Sequence, residues 1–562
     1  MKPSIFSILV HLLAIGAILS FCSCKKDSGA LADLKIDGFG PAVFIGGDAI
    51  SIYGSGFNPD ADKNIVSFNG VNGEVATATP NRLQVIVPIL ASSGKLSVKA
   101  YGKTVTSQQN YSIVSLLQGT YNDNFILTAD KQYLLRGDVT FNSKLIIQPG
   151  TVIYGERLTK ASLIATDVDF EGTPDHPIVF TSDQPEGNRA PGDWKGLKIG
   201  ATASGNGALP NGILKYIRVE YAGYYKMPDP LPYGFTGPYY GAAFTITPTP
   251  ASTYQCLQAS YSSADGFALG GTTADGYGES SFKYLVAFGC MGADFRLGTT
   301  GIRAQFGLGL KDPYLASGNR SDGLVSFQTG IPGNLISNFT LVGANPDARN
   351  ILDAGTVLSK DNGSGVRIGV SFTPDGGALG SRDNITIANS IIAAGWKSGI
   401  AIDDGSNQAD WWNYEANGGT SIQIRNCIVT GSAQRQLPMT GGAFARYDQR
   451  SRTAALIDIS QDPKLALFAG FNDTTRELSF SRGKDDLGIK DLVDYKRINT
   501  PAVTPGPGSP LLNGASFPSA SSWFTPYFDK NTTWIGAFGA EDWTRPWCNF
   551  SPQTTHYNNG SF

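Results

Sequence analysis

Residues able to do chemistry are few and scattered in this chain. Of its three histidines, His176 lies in Thr173-Pro-Asp-His176-Pro177 ahead of an apolar run, and His556 lies near the C-terminus. Neither occupies a nucleophile elbow or a zinc-protease helix, so neither is assigned a catalytic role. Asp265 and Asp294 stand singly, in Ser-Ala-Asp265-Gly-Phe and Gly-Ala-Asp294-Phe-Arg296. Calcium takes six to eight oxygens, more than single aspartates supply. The pair Asp403-Asp404 is the remaining metal candidate, with Ca2+ the one cofactor considered, although Asp-Asp-Gly is also an ordinary turn. Glycosidase chemistry needs two carboxylates roughly 5 to 10 Å apart, and lyase chemistry needs a base beside a neutralised uronate, for which Arg296 and Arg367 are the available choices. Sequence order assembles neither set, and no catalytic residue is named.

Aromatic side chains carry a stronger signal. Tyr224, Tyr225, Tyr233, Phe235, Tyr239 and Tyr240 are interspersed with Pro228, Pro230, Pro232 and Pro238, and Trp411-Trp412-Asn413-Tyr414 lies in a Gly/Asn-rich stretch. Buried rings usually sit within periodic strands, whereas these occupy proline-rich or polar loops. Sugars stack on such faces, so Tyr224, Tyr225, Tyr233, Tyr239, Tyr240, Trp411, Trp412 and Tyr414 form the candidate ligand-binding set. The plainer reading is that they fold back over the body of the protein. A third set, Trp523, Phe524, Tyr527, Phe528, Trp534, Trp543 and Trp547, reads as a cap over an open end.

The elements that must position these residues are strands. Gly 68 and Pro 31 with 41% hydrophobic and 11% aromatic residues suit turn-rich β structure. The composition excludes a helical bundle or a disordered chain. Charge is sparse at 16%, and Lys+Arg 44 against Asp+Glu 47 leaves no basic footprint for nucleic acid. At 562 residues the chain has room for several domains.

Lys2 is followed by an apolar run from Ile5 to Phe21 and then Cys22-Ser-Cys24-Lys-Lys-Asp. This ending resembles a bacterial lipoprotein signal of Bacteroidota outer membranes, with residues 1–23 removed and Cys24 lipidated. The resemblance implies an outer-membrane, lipid-anchored, surface location. Residues 24–33 then form a tether. The other cysteines, Cys256, Cys290, Cys427 and Cys548, show no CxxC spacing. Buried free thiols are the default, with a Cys256–Cys290 pair left open.

Residues 34–114 alternate short β-rich runs with Gly, Asn and Pro turns, which predicts a β-sandwich. The segments I52-Y-G-S-G-F-N-P59, V66-S-F-N-G70 and N81-R-L-Q-V-I-V-P88 resemble the IPT/TIG immunoglobulin-like domain. That resemblance implies a spacer or contact module.

From Leu116 a repeat emerges. Ile336-Ser-Asn338-Phe-Thr-Leu-Val-Gly343, Ile387-Ala-Asn389-Ser-Ile-Ile and Ile424-Arg-Asn426-Cys-Ile-Val-Thr-Gly431 share an Asn between apolar residues, 51 and then 37 residues apart. Asn tolerates the left-handed region at a fixed bend and can stack on copies above and below. The reading is an all-β, right-handed parallel β-helix over 116–562 with a C-terminal cap, with a further coil possible between repeats. Residues 434–500 read as loop or short helix. The segments G192-D-W-K-G-L-K-I199, L214-K-Y-I-R-V-E-Y-A-G223, A264-D-G-F-A-L-G-G271 and W534-I-G-A-F-G539 resemble pectate-lyase-like β-helix surface lipoproteins. The resemblance implies an envelope protein without established catalysis beside an outer-membrane nutrient-uptake complex, and with the aromatic clusters the reading is a non-catalytic binder of an extracellular polymer, a glycan. The alternatives are a β-helix polysaccharide lyase or hydrolase, and an adhesin or structural surface protein.

Overall fold

A computed structural model describes residues 32–200, 212–224, 241–250, 252–270, 279–298, 301–312, 315, 322–326, 333–343, 364–369, 385–393, 396, 398–403, 423–430, 444–448, 453–456, 499–517 and 526–557. It divides into two compact units. The first holds the strand before Gly40 and Gly46–Tyr111, and the second holds Pro41–Ile45 and the chain from Ser112 onward.

The first unit is built from antiparallel strands in the order Lys35–Gly40, Ala49–Ser55, Arg82–Ile86, Val71–Thr79, Ile65–Phe68, Leu96–Ala100, Lys103–Thr106. Alternation decides its faces. Ile50, Ile52, Val66, Phe68, Leu83, Val85, Leu96 and Val98 are buried, while their neighbours face outward. Strand Val71–Thr79 belongs to two sheets, with a register shift between Val75 and Thr77. The hairpin before it turns on Asn69-Gly70, both at positive φ (48° and 94°), as a two-residue loop requires if its twist is to match the strands.

In the second unit the strands pair in parallel, each coil lying on the one before. A coil contributes one straight strand and one strand bent about a single residue. The straight strands form one face: Ser162–Ala165, Gly196–Ile199, Ala242–Ile246, Asp265–Leu269, Phe295–Leu297, Leu324–Ser326, Ser364–Gly369, Ser398–Asp403 and Phe444–Asp448. The bent strands, Ile213–Glu220, Thr253–Ser260, Ser280–Phe288, Ile302–Leu310 and Asn334–Val342, form the other two faces. Identical inward positions stack along the axis, as in the nearly coplanar pairs Phe244 on Phe267 (centroids 5.0 Å) and Phe267 on Phe295 (5.4 Å). Such offset stacks add to the burial of their area.

The bend is a ladder of left-handed residues: Tyr216, Cys256, Tyr284, Phe306, Asn338, Asn389 and Asn426, with φ from 46° to 63°. The three sequence repeats are its last rungs. Ile336 pairs with Ile387 and Ile387 with Ile424, so both spacings are single coils with no coil between them. Asn426 Nδ2 donates to Asn389 Oδ1 at 2.6 Å.

Two expectations are corrected. Residues 444–448 and 453–456 are strands, and Thr453–Leu456 pairs antiparallel with Phe444–Asp448, ending the parallel stack among the described residues. Tyr527, Phe528, Trp534, Trp543 and Trp547 belong not to an end cap but to a strap running lengthwise toward the first coils, while Trp523 and Phe524 lie outside the described residues. Ser516 meets Asn389, Trp534 meets Asn338, Trp543 meets Tyr284, Trp547 meets Tyr216 and Tyr557 meets Tyr154. The reason lies in the outward row of the bent strands. Val286, Phe288, Leu308, Leu310, Val342 and Ile391 are apolar and need cover, which Val503, Leu511, Ile535, Ala537, Phe538 and Trp547 supply.

Candidate ligand-binding face

With the bent corner under the strap, the straight-strand face is the one where chain length varies. Only one residue joins the two halves of each bent strand. Connections to the straight strands run from four residues (261–264) to 21 (221–241). Both aromatic segments attach here: 225–240 precede Ala242–Ile246, and 404–422 follow Ser398–Asp403. Those two strands lie five steps apart in one sheet, about 24 Å at ~4.8 Å per step.

Tyr224 marks the described edge of this rim. It is 38% exposed, and its amide donates to Trp194 O at 3.2 Å. The Lys160 ammonium lies 4.6 Å from its ring centroid and donates to Gly192 O at 2.8 Å. Burial holds Lys160 below its usual pKa, with Asp193 acting the other way. Gly192 (φ 79°) permits the close approach, because a Cβ there would meet Ser263 Oγ at 2.6 Å. Ser263 Oγ donates to Gly223 O at 2.7 Å. Sequence reasoning found Tyr224 but not Lys160, which stands 64 residues earlier and arrives only by coil stacking. Tyr225, Tyr233, Tyr239, Tyr240, Trp411, Trp412 and Tyr414 lie outside the described residues, as do Asp404 and Cys24. Asp403 ends a straight strand, in register with Gly369 and Tyr447.

Buried carboxylates stand at the entry to the straight strands, each held by groups of the chain itself. Asp193 Oδ2 accepts from Ser182 Oγ at 2.5 Å and Ala190 N at 3.0 Å, and Oδ1 pairs with Arg157 Nε at 3.2 Å. Asp183 Oδ1 accepts from Gln184 Nε2 at 2.7 Å and Arg157 N at 3.1 Å. Burial still pushes Asp183 up to about 7. Asp265 pairs with Arg296 and accepts from Ala293 N at 2.7 Å. Asp294 pairs with Lys311 at 2.9 Å, both wholly buried, and burial outweighs that lysine in raising the carboxyl. Arg296, a candidate lyase base in the sequence, is thus a structural counter-ion. Asp265 and Asp294 likewise face cations of the chain.

The histidines are apart. His556 Nδ1 lies 2.5 Å from Glu186 Oε1 on the surface, and His176 shapes a turn through its backbone with Thr173. All four described cysteines are free. Cys290 faces inward, donating weakly to Ala259 O at 3.7 Å, whereas Cys256 faces outward beneath the strap, so the Cys256–Cys290 pair is ruled out.

These features define a parallel β-helix whose straight strands are joined by connections of unequal length, preceded by an immunoglobulin-like module. The chain belongs to the pectate-lyase-like β-helix domain family, whose model matches residues 119–439, and an IPT/TIG domain matches residues 34–115. No curated protein matches it. Among solved structures, auxiliary nutrient binding proteins from Bacteroides thetaiotaomicron (21% identity, 16% of this chain and 24% of that one, TM-score 0.13) and Bacteroides ovatus (22%, 15% and 22%, 0.13) are similar over short stretches. A structural-genomics protein of unknown function from Bacteroides thetaiotaomicron is similar to the same extent (21%, 15% and 24%, 0.14). The chain thus spans about a quarter of the length of each.

Proposed function

We propose that this protein is a lipid-anchored envelope protein whose β-helix binds an extracellular glycan along the straight-strand face without transforming it. One observation carries the reading. Both loop-borne aromatic segments attach to the same row of straight strands. Parallel strands offer a long, rigid, repeating surface that suits a polymer, and rings in proline-stiffened loops lose little entropy when a sugar stacks on them. At about 1 kcal/mol per ring, several rings are needed for micromolar binding, about 8 kcal/mol. Tyr224 belongs to this set, with Lys160 fixing one side of its ring. Cys24 would carry the acyl chains, the IPT/TIG unit would act as a spacer, and an outer-membrane uptake complex would be the partner.

The test is alanine substitution of Tyr224, Tyr239, Tyr240, Trp411 and Trp412, read on a glycan array and by retention in polysaccharide gels. Retention is expected to fall while the melting temperature stays within about 2 °C, as for surface changes. A fall of many degrees with unchanged retention would make the rings cover for the solenoid and favour the adhesin or structural reading. Release of unsaturated products by the unsubstituted protein would establish a lyase instead.

A further inference from the structure

We propose that Cys256 and Cys548 form a disulfide that fastens the C-terminal strap to the second rung of the left-handed ladder. They lie 292 residues apart in sequence, but the strap brings them into one apolar cluster. Two features set the register. Gln258 and Asn549 exchange a reciprocal pair of bonds, Gln258 Nε2 to Asn549 O at 2.7 Å and Asn549 N to Gln258 Oε1 at 2.8 Å. They place the residue after Cys548 beside the residue two beyond Cys256. Trp547 packs edge-on against Tyr216, one coil before Cys256, and Trp543 against Tyr284, one coil after. The turn that holds Cys548 is therefore bracketed on both sides of the Cys256 coil. The left-handed backbone of Cys256 (φ 56°) turns its side chain outward into that cluster, whereas Cys290 belongs to the interior of the helix and Cys427 packs against it.

The chemistry is thiol–disulfide exchange with a disulfide oxidant R–S–S–R. One cysteine thiolate displaces RS⁻ to give a mixed disulfide, and the second attacks the protein sulfur of that bond and displaces the other RS⁻. Two protein thiols are oxidised to one disulfide and the oxidant is reduced to two RSH, which take up both protons. Burial pushes the Cys256 thiol up to about 11 and raises the Cys548 thiol as well, so the docked pair holds almost no thiolate. Exchange therefore belongs to the stage before the strap docks, and the finished bond is shielded by the same packing. Closing a loop of this length removes a large entropy from the unfolded ensemble.

The full chain is refolded in a glutathione/glutathione disulfide buffer and, separately, in dithiothreitol. Free thiols are then alkylated and the digest is mapped without reduction. A Cys256–Cys548 linked peptide is expected from the first sample alone. Hydrogen exchange across 540–557 should be slower in the oxidised protein by more than about tenfold. Cys548→Ser is expected to abolish both effects and Cys427→Ser neither. If Cys256, Cys290, Cys427 and Cys548 all alkylate after oxidative refolding, if a different pair links, or if the linked protein exchanges as fast as the reduced one, the proposal fails. No outcome bears on glycan retention, so this latch and the binding role fail separately.

Discussion

At Asn389 one side chain ties its own coil to the next and to the strap. It holds φ at 46°, accepts from Asn426 Nδ2 and Ser516 N, and donates to Ser516 O. A left-handed residue other than Gly or Asn costs roughly 1–2 kcal/mol, and each lost hydrogen bond about 1 kcal/mol. Asn389→Ala is expected to destabilise by about 2–4 kcal/mol in urea denaturation, and Asn389→Gly by clearly less, since glycine keeps the backbone. Equal losses would show that the backbone strain is immaterial. Asp183 makes a second prediction at this scale. Its folded pKa of about 7 lies above its ordinary 3.8 because the carboxyl is buried. A raised acid binds its proton more tightly folded than unfolded, so its contribution is fully favourable below about pH 4 and is lost as pH climbs toward 7. Asp183→Asn removes that dependence. The stability of the variant relative to the parent should rise between pH 4 and 8, by at most about 4 kcal/mol, as guanidinium titrations at several pH values would show.

Among elements, the strap and the aromatic rim make opposite predictions. Trp547 is 2% exposed, against Tyr216 and Trp543, and its indole donates to Trp543 O at 2.9 Å. Trp547→Ala is expected to cost about 3–5 kcal/mol, read by calorimetry, because the outward apolar row of the bent strands loses its cover. Tyr224→Ala, at a half-open position, should cost under about 1 kcal/mol and act on binding instead. The ladder explains why the strap is indispensable here. Tyr216, Tyr284 and Phe306 hold left-handed backbones that aromatic residues rarely adopt, and strap rings pack on each of them: Trp547, Trp543 and Trp534. Local strain persists where its surroundings over-determine it.

For the whole molecule, the division into units follows packing rather than chain order. Val43–Phe44 pairs in parallel with Ser112–Ile113, and Val43 packs on Leu134, Val152, Tyr154 and Val179. A fragment beginning at Leu116 keeps the coils but loses this strand. It should fold, with a melting temperature several degrees below that of the β-helix unit in the full chain, about 1–3 kcal/mol for one buried valine and its hydrogen bonds. An equal melting temperature would show the strand to be dispensable.

Much of this was legible in the sequence because it depends on local rules. Asn338, Asn389 and Asn426 announced the bend, and alternation the buried faces. What sequence could not carry is which residues meet once coils of unequal length stack. The Lys160 ammonium over Tyr224, the cations beside Asp265 and Asp294, and the approach of Cys548 to Cys256 all join residues separated by loops whose length the stacking ignores. The strap follows the same logic. The apolar rows on the bent strands demanded a cover and the C-terminal tryptophans offered one, but burial is non-directional. Only the packed structure decided that the cover runs along the solenoid instead of across its end.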